Sequence, residues 1–285
     1  MRLLRMCSVF LIAAAGALFV LPASPAAAAF SGVALREVNV TATGTAGQQV
    51  SPTAFCNNDE IVVAAGAGTS TITSLGVNPT AGGSRMLRAT GKILGPGTGS
   101  MNLQATCAPV SQATDTSIAT FTAQASPSTL RTGTAMCPVG KLAYAGGGNF
   151  MTSQAFFSTS GTRLVGSYPT ADGRGWTVTG HTSAPTDRLV IRTLCAPLTG
   201  SQPRQETFAP VNGVGQGYAN CPFGMRPLTG GAYMTNVNNG DSVNGRLIHT
   251  LRVSSSNVND RQAWFAAAVD LRPEERLVVR VRCIV

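Results

Sequence analysis

The chain is poor in the residues from which catalytic and nucleic-acid sites are usually built. It has two histidines, His181 and His249, two lysines, and 12 acidic residues among 285. No H-E-x-x-H pattern and no short paired cysteine spacing occurs, which removes the common zinc sites. There is no G-x-S-x-G elbow for a nucleophilic serine. No phosphate loop or dinucleotide fingerprint is present either, because the glycine pairs follow β-like stretches with no helix behind them. No Lys/Arg-rich segment interleaves with aromatics, so nucleic acid is not an expected partner. Beyond residue 29 no apolar run approaches the roughly 20 residues that span a bilayer, and helix-length amphipathic patterns are scarce. No cofactor or metal is expected.

What is present begins with a leader. Arg2 and Arg5 precede an apolar stretch from Ser8 to Leu21, and "PASPAAAAF" then supplies small residues. This is the layout of a secretory signal peptide over residues 1–29, cut after Ala29, and it predicts an exported product. Net charge is +9, or +7 once Arg2 and Arg5 are set aside. Arginine outnumbers lysine 19 to 2 and alanine is abundant, as in a GC-rich bacterial coding sequence. The basic balance suits anionic envelope polymers as well as plain solubility.

Six cysteines remain after Cys7, and they frame an internal repeat. "CPVGKLAYAGGG" (137–148) and "CPFGMRPLTGGA" (221–232) start 84 residues apart, and "CNNDEIVVAAGAG" (56–68) is a worn third copy in which Asp59 replaces Gly140 and Gly224. Trp176 and Trp264 each precede a closing cysteine by 19 residues, and Leu87 takes that place in the first unit if one gap is allowed. "NPTAGGSRML" resembles "YPTADGRGW", whereas the third unit has "SSSNVNDRQAW". Repeats of this kind are sought before any fold is assigned.

The closing segments "MNLQATC", "LVIRTLC" and "LVVRVRC" alternate with period two. Leu277, Val279, Val281 and Cys283 are expected inward, and Val278, Arg280 and Arg282 outward. Six cysteines allow many connectivities. The simplest pairs them within units as Cys56–Cys107, Cys137–Cys195 and Cys221–Cys283, and an oxidising compartment would favour this. Short alternating stretches bounded by Gly, Pro, Asn and Asp predict strands and turns throughout. The expected fold is all-β: residues 30–285 form one pseudo-threefold, β-prism-like domain of repeats at about 34–109, 114–197 and 203–285. Three tandem small β domains are the alternative.

Cys137, Gly140, Gly146, Gly147, Trp176, Cys195 and their third-unit counterparts resemble repeats of secreted actinobacterial proteins of uncharacterised function. More distantly, three Cys-bounded β units are similar in architecture to the β-prism of vitelline membrane outer layer proteins, which implies three sheets about a pseudo-threefold axis. That likeness carries no activity with it.

Two features could bind a ligand. Arg188, Arg192, Arg276, Arg280 and Arg282 lie on the faces expected outward, where their forks suit phosphate or carboxylate, or merely keep the strands soluble. The turns leading into Trp176 (with Asp172 and Arg174) and Trp264 (with Asp260) combine polar groups with a ring, as sugar sites do; the equal distance of both rings from a structural cysteine favours core tryptophans instead. "GDSVNG" (240–245) reads as an Asn/Gly turn, and Asn236, Asn238 and Asp241 miss the register of a known calcium loop. The carboxylates Asp59, Glu60, Asp172, Asp187, Glu206, Asp241 and Asp270 sit in no recurring motif from which a glycosidase pair could be read. The sequence therefore points to a secreted, non-enzymatic binding or envelope-associated protein with an extracellular polysaccharide or anionic surface polymer as partner. A secreted hydrolase of a polysaccharide or ester, and a structural or protein-inhibitory module, are the alternatives.

Overall fold

The computed structural model describes residues 30, 32–69, 72–80, 83–112, 115–123, 129–152, 161–236, 245–253 and 262–285. The leader over 1–29, Asp260, Asn238, Asp241 and most of the "GDSVNG" turn lie outside the described residues.

Among the described residues the secondary structure is β apart from one 3₁₀ turn at Val110–Gln112. Repeat 1 supplies β1 (Arg36–Thr45), β2 (Gln49–Val50), β3 (Thr53–Phe55), β4 (Glu60–Gly68), β5 (Ile72–Thr80), β6 (Gly83–Lys92) and β7 (Thr98–Pro109). Repeat 2 supplies β8 (Ser117–Ala123), β9 (Leu130–Met136), β10 (Leu142–Met151), β11 (Arg163–Pro169), β12 (Gly175–His181) and β13 (Arg188–Ala196). Repeat 3 supplies β14 (Gln202–Phe208), β15 (Gly215–Asn220), β16 (Arg226–Asn236), β17 (Arg246–Val253), β18 (Ala263–Val269) and β19 (Glu275–Ile284). The segments that join successive repeats, "SIATFTAQ" and "RQETFAPV", carry the edge strands β8 and β14.

No repeat closes a sheet by itself. The strand orders are β1-β7-β4-β17-β18-β15, β2-β6-β5-β10-β13-β8 with β3 also on β6, and β14-β19-β16-β11-β12-β9. Each sheet thus joins the first, last and one middle strand of one repeat to the intervening strands of another. The junctions are antiparallel pairs: β4 with β17, β10 with β5, and β16 with β11. They link repeat 1 to 3, 2 to 1 and 3 to 2, so the repeats are tied in a closed ring.

The three disulfides join Cys56 to Cys107, Cys137 to Cys195 and Cys221 to Cys283, with Cα separations of 5.6–5.7 Å. Each opening cysteine follows a strand of one sheet and each closing cysteine lies in another sheet. A disulfide therefore staples together the two halves of a repeat that the sheets pull apart. Closing loops of this length restricts the unfolded chain by roughly 4 kcal/mol each in the loop-entropy view.

The degenerate repeat is regular in its backbone. A register shift falls between the sixth and eighth residues after each opening cysteine: Val62/Ala64, Ala143/Ala145 and Pro227/Thr229. The extra residues, Val63, Tyr144 and Leu228, are all buried. A second shift recurs in β5, β11 and β17. Bulges re-aim side chains and sharpen local twist, and here they do so at equivalent places in all three units.

The paired glycines have two separate tasks. A Cβ at Gly146 or Gly230 would overlap the indole of Trp176 or Trp264, so the first glycine makes room for the ring. In repeat 1 the ring is replaced by Leu87, and the matching position is Ala65. The second glycine lets the neighbouring repeat come close: a Cβ at Gly66 would lie 2.8 Å from Leu251 Cα, and one at Gly231 2.7 Å from Tyr168 Cα. The glycines of the C-P-x-G phrase, Gly140 and Gly224, take φ values of 83° and 77° in four-residue turns closed by Lys141 N–H to Pro138 O and Met225 N–H to Pro222 O. Only glycine adopts that conformation without cost.

Candidate functional site

Both tryptophans belong to the core. Trp176 and Trp264 are 2% and 0% exposed, and their Nε1–H groups donate to Ser167 Oγ at 3.0 Å and Thr250 Oγ1 at 2.8 Å. Neither ring offers a face for stacking on a sugar, which corrects the reading of these residues as ligand platforms. The constant distance to a closing cysteine reflects core geometry: the tryptophan strand lies over β10 or β16, which carry the glycines.

The closing strand β19 differs from a simple two-faced strand. Arg282, expected outward, is 4% exposed, and Val278 is buried too. The covering elements are the turn 169–175 of repeat 2, brought over by the β16–β11 junction, and the edge strand β14. A Cβ at Gly173 would overlap the Arg282 guanidinium, so that turn sits directly on the side chain. Period-two alternation says which way a residue points, not what a neighbouring repeat lays over it.

Turn and strand together enclose a pocket of about 340 Å³, lined by Pro169, Thr170, Pro203, Arg204, Arg280 and Arg282 among others. Two features that the sequence offered separately, the closing-strand arginines of repeat 3 and the turn before Trp176, thus meet in one place. Arg280 is fixed from three sides. Its Nε donates to Gln205 Oε1 at 2.7 Å, Nη1 to Pro169 O at 3.2 Å, and Nη2 to Tyr233 Oη at 3.1 Å. Its guanidinium carbon lies 4.9 and 5.2 Å from the ring centres of Tyr233 and Tyr168, which stack on each other at 4.2 Å. Such cation–π contact holds a cation in place without neutralising it. Arg282 donates through Nη1 to Ser201 Oγ at 2.9 Å, while its buried Nε has no hydrogen-bond partner. Burial lowers the pKa of Arg282, with the charge of Asp172 acting against the shift. Arg204, on the exposed edge strand, is held only to Gln202 at 3.3 Å. Among the described residues none of these three arginines forms an ion pair with a carboxylate.

Asp172 stands at the rim, in the exposed turn. Its Oδ1 accepts from Thr170 Oγ1 at 2.6 Å and from Arg174 N–H at 3.0 Å, and these bonds hold the carboxyl below its ordinary pKa. Arg174 points elsewhere, to a separate pocket with Lys141, Leu142 and Leu198. Arg188 and Arg192 lie in β13, in another sheet from Arg276, Arg280 and Arg282, so the arginines form no continuous stripe. His181 and His249 also lie in different sheets. Of the carboxylates, Glu60 pairs with Arg36, Asp270 with Arg246 at 3.2 Å, and buried Asp187 accepts from Thr182 Oγ1 at 2.7 Å. The one cluster of potential metal ligands among the described residues is Cys56, Glu60 and Cys107, and both sulfurs are in a disulfide.

The corresponding places at the other two junctions are filled differently. Pro203, Glu37 and Ile118 all face the residue before a closing cysteine: Arg282, Thr106 and Leu194. Pro169 and Arg252 both face a core tryptophan. Where repeats 2 and 3 set two prolines around an open pocket, repeats 3 and 1 set Arg252 and Glu37, which pair at 2.6 Å. Gln104, which replaces Arg280 three residues before the cysteine, accepts there from Arg252 N–H at 2.9 Å. At the junction of repeats 1 and 2 the space, about 280 Å³, is lined by Ile61, Ile118, Tyr144 and Leu194 with Ser and Thr, and among the described residues no charged residue borders it.

Sequence reasoning missed Arg204, Thr170 and Pro203. "QPRQETF" reads as an ordinary polar strand, and only the fold reveals that it walls a pocket. No protein-family model matches the chain, and no curated protein matches it in sequence. Among the described residues no helix is long and apolar enough to cross a membrane.

Proposed function

We propose that this is an exported, non-enzymatic binding protein that takes an anionic group of an extracellular polymer into the arginine pocket between repeats 2 and 3. The observation that carries the reading is three arginines converging on one cavity, none of them in an ion pair among the described residues. Charges gathered with like charges are costly unless a counter-ion arrives, and an arginine fork is the side chain best matched to carboxylate and phosphate oxygens. Export is supported by the leader-like residues 1–29 and by the disulfides, which accumulate in oxidising compartments. In this reading the three shared sheets are the faces of a pseudo-threefold prism, supported by their matching composition and the recurrent bulges. The prism is a rigid frame that brings the turn of one repeat over the closing strand of the next.

The test is co-sedimentation of the oxidised protein with insoluble polymers at low and high salt. Retention on phosphate- or carboxylate-bearing cell wall, released by salt and diminished by Arg204→Gln, is the expected result. Equal retention on cellulose, chitin or starch would refute the anionic reading.

A further inference from the structure

Resting on that reading, we infer that the protein binds one oxyanion-bearing residue per chain, a single pendant or terminal unit of its partner, although it has three repeats. The argument is the comparison of the three junctions. Each brings a neighbouring repeat over a closing strand, and among the described residues the junction of repeats 2 and 3 is the one whose pocket is lined by arginines. At the junction of repeats 3 and 1 the chain supplies its own carboxylate, Glu37, to its own Arg252. At that of repeats 1 and 2, Ile118 and Leu194 occupy the positions of Pro203 and Arg282, and among the described residues the space is lined without charge, Arg192, the counterpart of Arg280, not bordering it. The protein is therefore monovalent by construction, with its pseudo-symmetry broken at the level of side chains.

The shape of the open site gives the size of the unit. At about 340 Å³ it is near the lower end of small-ligand pockets. Its walls, Pro169 with Thr170 and Pro203 with Arg204, stand on either side of Arg280 and Arg282. That volume suits one charged sugar or a glycerol phosphate rather than a run of polymer. Arg280 is already fixed by Gln205, Pro169 and Tyr233, so it requires little ordering when a ligand arrives. Arg282 spends one N–H on Ser201 and is 4% exposed, a buried cation that lines the pocket beneath the Gly173 turn. A fixed, partly desolvated pair of guanidinium groups recognises an oxyanion by shape as well as by charge.

The experiment is isothermal titration of the mature oxidised protein with three probes: glucuronate, glycerol 3-phosphate and glucose. One of the two anions is expected to bind at one per chain, identifying carboxylate or phosphate as the group, while glucose does not bind. Arg204→Gln, on an exposed strand and without consequence for the core, should weaken that binding about tenfold. Arg282→Gln should weaken it more, provided non-reducing peptide mapping shows the native disulfides. A stoichiometry of three, binding untouched by Arg204→Gln, or glucose binding as well as the anions would overturn the inference. Anionic polymer binding that strengthens with chain length, with neither monomer bound, would overturn it and leave the broader reading standing. Binding of neither polymer nor monomer would end both.

Discussion

Gly230 lies directly beneath the indole of Trp264, with no room between them for even a methyl group. The same relationship holds for Gly146 and Trp176, and repeat 1 changes both partners together, to Ala65 and Leu87. Three copies within one chain thus show that strand spacing is held constant while the volume is divided differently between two side chains. Gly230→Ala should destabilise the protein by about 3 kcal/mol, the upper part of the range for an overpacked core. Adding Trp264→Leu should recover part of that loss, because the pair then matches repeat 1. Urea unfolding midpoints of the single and double variants measure the coupling. An unchanged midpoint in Gly230→Ala would mean that the ring is free to move away.

The frame of this fold was legible in the sequence to an unequal degree. Cysteine spacing and the alternation of Leu277, Val279, Val281 and Cys283 were enough for the disulfides and the closing strands, because side chains record those facts directly. The exchange of half-sheets between repeats leaves no such record. It is made by backbone hydrogen bonds, and its side-chain trace is an absence: Gly66 and Gly231, where a neighbour passes close. Arg282 was placed on the correct face but given to solvent, since the partner repeat's turn at 169–175 and the edge strand β14 cover it. Polar turns precede Trp176 and Trp264 in sequence and made them candidate ligand residues, but their equal distance from a closing cysteine favoured the core, where both rings lie. Arg204 and Pro203 carried no signal in isolation.

Glu37 and Arg252 form an ion pair in which the arginine is 6% exposed and the glutamate 25%. Glu37→Ala leaves Arg252 buried with Pro227 O as a neutral acceptor and without a countercharge. The expected cost is about 2 kcal/mol, below that of breaking a fully buried pair because Glu37 keeps part of its side chain in water. The cavity so formed faces a cation, and acetate should enter it. Thermal unfolding of Glu37→Ala should therefore rise with added acetate, while the native protein shows no such gain over chloride at equal ionic strength.

His249 contributes a pH dependence of determinate sign. It lies at the β4–β17 junction against Gly68, and burial lowers its pKa from the ordinary value of 6.5. The unfolded chain then binds a proton at a higher pH than the folded chain. Stability from the neutral ring is complete above about 6.5 and is lost as pH falls through the depressed folded value. Thermal unfolding of the native protein and of His249→Gln should diverge least at pH 5 and most at pH 7.5. A constant difference across that range would show that the imidazole titrates alike in both states.

Asp172 tests whether the rim of the arginine pocket sets its affinity. Its negative charge acts on Arg282, and its Oδ1 organises the turn by accepting from Thr170 and Arg174. Asparagine keeps an oxygen for both bonds and removes the charge, so Asp172→Asn separates electrostatics from turn geometry. An oxyanion approaching Arg204, Arg280 and Arg282 then meets no competing carboxylate, and binding should tighten about two- to fivefold at low salt. Because Thr170 and Arg174 hold the Asp172 carboxyl below its ordinary range, the native protein keeps this charge throughout pH 5–8. Affinity for a strong-acid probe such as sulfate should be flat across that interval and approach that of the variant only in stronger acid. Weaker binding by Asp172→Asn would instead make Asp172 a direct ligand to a hydroxyl of the bound unit, a sugar-like body held by its oxygens as well as by its charge.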